Sequence, residues 1–268
     1  MTSPQNFQVA PGTWARGRPG TSEHYTRAPL ALYNEEILWL LHRLCLNYKG
    51  VPYKTEWLEY PDVEPHYIKH GINPTSTKPD GTPFYTLPAI YDESTGVYTS
   101  DSFAIAVYLD ATYPSMPLIF PHGTKGLQTA FESAFSPQVR GVWPFTIDNA
   151  LENLNEPSAH YMRTTKRDQM GGKDMAELIP RGEDAVAQWA KVEEELAKVD
   201  GWYASNGGKG PFLMGEVISW ADLVVCAHFR CWKVVLGADS TGWKDMQKWN
   251  GGRWGALVKA LEAYQKTD

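Results

Sequence analysis

A chain of 268 residues exceeds the usual single-domain length of about 100–150 residues, which excludes one small domain and leaves two compact units or one large one. Hydrophobic residues make up 43% of it, with 11 Trp, 14 Tyr and 9 Phe, so it holds ample material for a core and is unlike a disordered chain. A formal net charge of -6, with no long Lys/Arg run, argues against nucleic-acid binding through general electrostatics.

Residues 1–29 carry Pro4, Pro11, Pro19 and Pro29 with little apolar periodicity, and are expected to form an irregular N-terminal arm. No apolar signal segment is visible there, so secretion is not expected. Residues 30–115 mix helix and strand patterns. Glu35 and Glu36 suit a first helical turn, and Ile37, Leu38, Leu40, Leu41, Leu44 and Cys45 give an apolar face that ends near Gly50. Val51 to Tyr60, rich in β-branched and aromatic residues, reads as a strand, and a short helix falls within 63–70. A Pro/Thr/Gly/Asp loop spans 73–83. Tyr85 to Tyr91 and Val97 to Thr99 then read as a hairpin joined through Gly96, followed by a helix over 101–113. Pro114, Pro117, Pro121 and Gly123 mark a linker.

Beyond it, 124–268 reads as an all-helical half. Val186, Trp189, Val192, Leu196 and Val199 recur at helical spacing, and Trp220 to Leu236 is apolar almost all round. That last stretch is interrupted by Asp222, His228, Arg230 and Lys233 and falls short of the ~20 clean apolar residues of a membrane span, so it reads as a buried helix. Cys45, Cys226 and Cys231 are odd in number and lack C-x-x-C spacing, which fits a reducing, cytoplasmic setting rather than a disulfide framework or a zinc ribbon.

The most informative short piece is Thr86-Leu87-Pro88-Ala89-Ile90, because a proline inside a strand-like run removes a ladder donor. Two readings are open: an edge-strand proline without further role, or a cis Leu87–Pro88 peptide that turns the Leu87 N–H and C=O outward to pair with an extended peptide ligand. Thirteen residues on, Ser100-Asp101-Ser102-Phe103 starts a helix. Its free N–H groups and hydroxyl suit a ligand carboxylate and Asp101 suits a ligand ammonium, or Ser100 and Asp101 merely cap the helix. His66 and His70 lie four apart without the carboxylate or third ligand of a zinc site, so no metal is expected. Cys45 sits inside its helix and reads as a buried thiol. Ser219 and Asp222 have the S-x-x-D spacing of a helix-starting box.

Taken together, the strand proline, the hairpin, the acidic-Ser helix start and the helical second half resemble the glutathione transferase family from about Asn34 onward. Phe212 to Asp222 resembles that family's helix-capping motif. The segments Arg43 to Gly50, Tyr53 to Trp57, Glu59 to Asp62, Pro83 to Pro88 and Trp143-Pro144-Phe145 are similar to the fungal etherase-like, or fungal-specific class A, group. The resemblance implies an N-terminal thioredoxin-like domain over 30–115 with a poorly represented first strand, and a C-terminal helical bundle over 124–268. It implies glutathione as co-substrate, gripped by Leu87, Pro88, Asp101 and Ser102, and small aromatic or electrophilic acceptors near Trp143 and Phe145. A homodimer without nucleic-acid or membrane partners is implied as well.

At the catalytic position the sequence departs from that pattern. Members of the group use a serine near the start of the first helix, where a hydroxyl and the helix dipole lower the thiol pKa. Aligning backward from Asn47-Tyr48-Lys49-Gly50 puts Glu36 there, and a carboxylate would raise a thiol pKa. No Ser, Thr or Cys lies within 34–41. Only Leu30 to Tyr33 is read as a first strand, which leaves Tyr33 or Asn34 as substitute donors and no assigned catalytic residue. The alternative function is ligand binding without catalysis on the same fold.

Overall fold

A computed structural model describes residues 7–10, 35–152, 154–169 and 174–266. Its first half alternates strand and helix. Strand β1 (Phe7–Ala10) leads to α1 (Glu35–Lys49), β2 (Tyr53–Thr55), a 3₁₀ turn (Tyr60–Asp62) and α2 (Val63–His70). A small antiparallel pair, β3 (Ser76–Thr77) and β4 (Pro83–Phe84), precedes β5 (Ala89–Asp92), β6 (Val97–Ser100) and α3 (Ser102–Thr112). The main sheet runs β2-β1-β5-β6, with β1 parallel to β2 and antiparallel to β5.

This topology corrects the reading of the front of the chain. Phe7–Ala10 falls in the stretch expected to be an irregular arm, yet it holds a central place in the sheet. Leu30 to Tyr33, read as the first strand, lies outside the described residues. The strand expected over 51–60 shrinks to Tyr53–Thr55, because its partner β1 is four residues long and pairs only Phe7, Gln8 and Val9 with it. The strand expected over 85–91 begins only at Ala89, immediately after Pro88, which has no N–H to give a ladder.

The second half is helical: α4 (Lys125–Val139), a 3₁₀ segment (Arg140–Phe145), α5 (Ile147–Glu152), α6 (Glu156–Gln169), α7 (Gly182–Ala204), α8 (Trp220–Leu236) and α9 (Thr241–Ala260). The last is broken by non-helical residues at Trp249–Gly252. On α7, Val192, Leu196 and Val199 face the core as their spacing predicts, whereas Val186 at the helix start stands out at 72% exposure. No described helix is long and apolar enough to cross a membrane.

Helix α8 organises the packing. Trp220, Leu223, Val225, Cys226, Ala227, Phe229, Cys231 and Trp232 are all fully buried, and α8 lies against α1 on one side and α9 on the other. Leu40, Leu41, Leu44 and Cys45 of α1 therefore share one core with the helical half. A second, smaller core of Val63, Tyr67, Ile72, Leu87 and Ala89 gathers α2, the segment before β5 and β5 itself. Two polar stitches fasten the first half, one to the linker and one to the helical half. Lys49 Nζ, wholly buried, reaches Asp110 Oδ1 at 2.8 Å and the Pro117 carbonyl at 3.1 Å. Glu59 accepts from Asn155 Nδ2 at 2.7 Å and Ser158 Oγ at 2.5 Å.

His228 lies on α8 with Nδ1 2.8 Å from the Val224 carbonyl and its ring against Phe135 and Trp232. Burial pulls its pKa down to about 4, only partly opposed by that carbonyl. A base whose folded pKa lies below its unfolded value of about 6.5 contributes stability above pH 6.5 that is lost as pH falls toward 4. We therefore expect the wild type to lose on the order of 2 kcal/mol relative to His228→Phe across that window, allowing for the partial exposure of the ring. Thermal unfolding of both proteins at pH 7 and pH 4 checks this; a constant difference would contradict it.

Candidate functional site

The residues singled out around Pro88 and Ser102 come together because β5 and β6 pair. The register sets Ala89 opposite Ser100, so Pro88 and Asp101, one step outward on each strand, are neighbours at one end of the sheet. The hairpin is held to α3 by buried Asp92, which accepts from Ser94 N–H and Oγ and from the Tyr108 and Tyr113 hydroxyls. Burial works against the Asp92 carboxylate, but these donors outweigh it and hold its pKa below the ordinary value.

The Leu87–Pro88 peptide is cis. The loop leading into it is fixed from both sides: Tyr67 Oη donates to the Thr86 carbonyl at 2.6 Å, and Thr86 N–H donates to Thr75 Oγ1 at 3.1 Å. The Leu87 side chain is buried in the smaller core, while its main-chain N–H and C=O find no hydrogen-bond partner among the described residues. Leu87 is thus anchored by its side chain with an open backbone. Tyr67 and Thr75 were not singled out in the sequence, since contacts across 19 and 11 residues leave no local signature.

Asp101 has φ 75° and ψ 132°, a conformation that costs a non-glycine residue roughly 1–3 kcal/mol. Its Oδ1 caps α3 by accepting from Ala104 N–H at 2.9 Å. Ser102 opens the helix and is buried, yet its Oγ has no hydrogen-bond partner among the described residues. An unsatisfied buried hydroxyl at a helix N-terminus, beside an open extended backbone, is equipped to receive a ligand carboxylate and a peptide strand.

The aromatic pair is placed differently. Trp143 and Phe145 lie in the 3₁₀ segment after α4, both half-buried. Trp143 packs on the large core, and Phe145 sets its ring edge-on against Trp189 of α7, centroids 4.8 Å apart. Neither lines the groove of about 610 Å³ that opens beside α2 between Tyr60, Phe84, Tyr85 and Tyr161. Cys45 is fully buried, and burial drives its thiol pKa far above the usual value, which fits a core thiol and not a nucleophile. The His66 and His70 rings lie with centroids 4.4 Å apart, tilted by 33°, and burial with the neighbouring His70 lowers the His66 pKa. Among the described residues no group of three His, Cys, Asp or Glu could hold a metal. Tyr33 and Asn34, the substitute donors, lie outside the described residues; Glu36 falls in the first turn of α1.

Comparison with known proteins matches this architecture. Residues 42–112 fit the model of the glutathione S-transferase N-terminal domain, and residues 126–264 that of the glutathione S-transferase C-terminal domain. The glutathione S-transferase-like protein ustS of Aspergillus flavus is 30% identical over 262 residues, covering 91% of this chain and 87% of that protein. The glutathione S-transferase CsGST63524 of Ceriporiopsis subvermispora, solved in complex with glutathione, superposes with a TM-score of 0.86 at 33% identity over 98% of both chains. Glutathione transferase GSTFuA3 of Phanerochaete chrysosporium gives a TM-score of 0.86 at 32% identity, covering 99% of this chain and 100% of that one. With both domain models matched and the two-domain fold reproduced by these fungal enzymes, the chain belongs to the glutathione S-transferase family.

Proposed function

We propose that this protein binds glutathione between the Leu87–Pro88 turn and the start of α3, and presents its thiolate to an electrophilic or aryl-ether aromatic acceptor. The observation that carries this reading is the buried, unpartnered Ser102 hydroxyl next to the open Leu87 backbone. The cysteinyl main chain of the tripeptide would pair with Leu87 as a short added strand, and the γ-glutamyl carboxylate would take the Ser102 hydroxyl and the α3 N–H groups. Trp143 and Phe145, half-buried on the helical half, are proposed as the acceptor-side aromatics. A first domain that ends near residue 115 and takes in β1 as well as the 30–115 stretch, a helical domain over 124–268, a cytoplasmic location and a homodimer belong to the same reading.

Catalysis requires a donor to the sulfur, and here the corrected topology matters. With β1 at Phe7–Ala10, the connection to α1 is residues 11–34, whose sequence contains Thr13, Thr21, Ser22, Tyr25, Thr26 and Tyr33. A hydroxyl from this stretch is the proposed thiol-activating group, replacing the serine that Glu36 displaces. The sequence from Asn34 to Leu41, which lacks any Ser, Thr or Cys, favours a second reading in which the protein binds glutathione without turning it over.

Conjugation of 1-chloro-2,4-dinitrobenzene, followed by absorbance, separates the two. The catalytic reading expects turnover that depends on glutathione and is lowered at least tenfold in Ser102→Ala, since a lost hydrogen bond to a charged group is worth about 1.5–3 kcal/mol. Binding without turnover in the wild type would leave the non-catalytic reading, and turnover gained in Glu36→Ser would then identify the missing donor as the defect.

A further inference from the structure

Both main-chain groups of Thr86 are held by side chains from earlier in the chain. Tyr67 of α2 is wholly buried, with its ring in the smaller core and edge-on to that of Tyr85, centroids 5.6 Å apart. Its own carbonyl accepts from Ile72 N–H at 2.9 Å, so ring and main chain are both fixed. From that position the Tyr67 hydroxyl donates to the Thr86 carbonyl at 2.6 Å. Thr75, just before β3, donates from Oγ1 to the Phe84 carbonyl at 2.9 Å. The same Oγ1 accepts from Thr86 N–H at 3.1 Å and lies 2.8 Å from Thr86 Oγ1.

Holding the Thr86 carbonyl also sets the direction of the next residue's N–H. The Thr86–Leu87 peptide is trans, and in a planar trans peptide the C=O and the N–H that follows it point in opposite directions. With the Thr86 oxygen drawn toward the buried Tyr67 hydroxyl, the Leu87 N–H is obliged to face away from that hydroxyl. It is this N–H that has no partner among the described residues. Without the hydroxyl, the Thr86 carbonyl loses its donor and gains by turning toward water, and a rigid peptide plane carries the Leu87 N–H round with it.

We propose that Tyr67 is a positioning residue for ligand binding: its hydroxyl, acting through the Thr86–Leu87 peptide plane, aims the Leu87 N–H at the cysteinyl carbonyl of glutathione. Thr75 fixes the preceding plane by holding the Thr86 N–H, and so shares the role. Tyr67 is wholly buried and does this without touching the ligand. The strand edge is thereby set before the ligand arrives, which spares binding the cost of ordering it. This rests on the glutathione reading above and adds to it two residues that prepare the backbone on which the tripeptide pairs.

The test joins calorimetric titration of the full chain with glutathione to the NMR signal of the Leu87 amide in protein isotope-labelled at its leucine nitrogens. In the wild type, saturation with glutathione is expected to move the Leu87 amide proton downfield and slow its exchange. Tyr67→Phe keeps the ring and loses the hydroxyl; it should bind about tenfold more weakly and show a reduced Leu87 response even when saturated. Thr75→Val should weaken binding in the same sense, and Thr75→Ser, which keeps the hydroxyl, should retain wild-type affinity. Unchanged affinity in Tyr67→Phe overturns the proposal. So does weaker binding with a full Leu87 response at saturation, which would leave Tyr67 a core residue only. If Tyr67→Phe does not fold, the threonine pair decides, and equal affinity in Thr75→Val and Thr75→Ser overturns the proposal. A wild type that binds glutathione with no Leu87 response overturns the role given to Tyr67 alone, whereas one that binds no glutathione overturns the glutathione reading as well.

Discussion

Replacing Asp222 with alanine is expected to lower the free energy of unfolding by about 3–5 kcal/mol, because two buried donors and one part-buried donor lose their acceptor at once and each such loss costs roughly 1–3 kcal/mol. The carboxylate, wholly buried at the start of α8, accepts from Leu213 N–H at 2.8 Å, Ser219 N–H at 2.9 Å and Ser219 Oγ at 2.8 Å. Burial raises its pKa to about 6 against the pull of these donors, so the site needs all of them. It ties the Phe212–Gly215 turn to the central helix on which both halves pack. Urea denaturation measures the effect; a loss below 1 kcal/mol would show that the carboxylate is not what holds this turn. Ser219→Ala removes only one of the three donors to that carboxylate and should cost about 1 kcal/mol.

A comparable loss, about 3 kcal/mol, is expected for Lys49→Met. The Lys49 ammonium is fully buried at the end of α1 and faces Asp110 on α3, whose oxygens also accept from Ile119 N–H at 3.0 Å and Phe120 N–H at 2.9 Å. Removing the cation leaves a mostly buried carboxylate with two main-chain donors and no counter-charge, and it frees the Pro117 carbonyl. Since this knot fastens the linker between the halves, the denaturation curve should lose midpoint without losing slope if both halves still unfold together. An unchanged midpoint would mean that the pair contributes nothing beyond its own desolvation.

How far the sequence carries this structure can be judged element by element. Helices α1, α3 and α8 were legible because each buries an apolar face or, for α8, nearly its whole surface, and that periodicity survives any detail of packing. The site was legible where chain-local chemistry marks it: Pro88 in a strand-like run, and Asp101-Ser102 at a helix start. Strand β1 was missed because it is four residues long, Phe7-Gln8-Val9-Ala10, and sits directly before Pro11 and Gly12 among proline-rich neighbours. A short central strand has too few residues to establish an alternation, and only its partners β2 and β5 define it. The same blindness to partners applied to Phe145, whose ring contact with Trp189 depends on how α7 packs.

The central claim is that Leu87–Pro88 and the neighbouring first turn of α3 form a glutathione site. Calorimetric titration of glutathione into the wild type and Ser102→Ala tests it most directly. The account predicts saturable binding to one site per chain, weakened about tenfold, or 1.4 kcal/mol, by removal of the buried hydroxyl. No measurable heat at millimolar glutathione, or equal affinity in the two proteins, would contradict it.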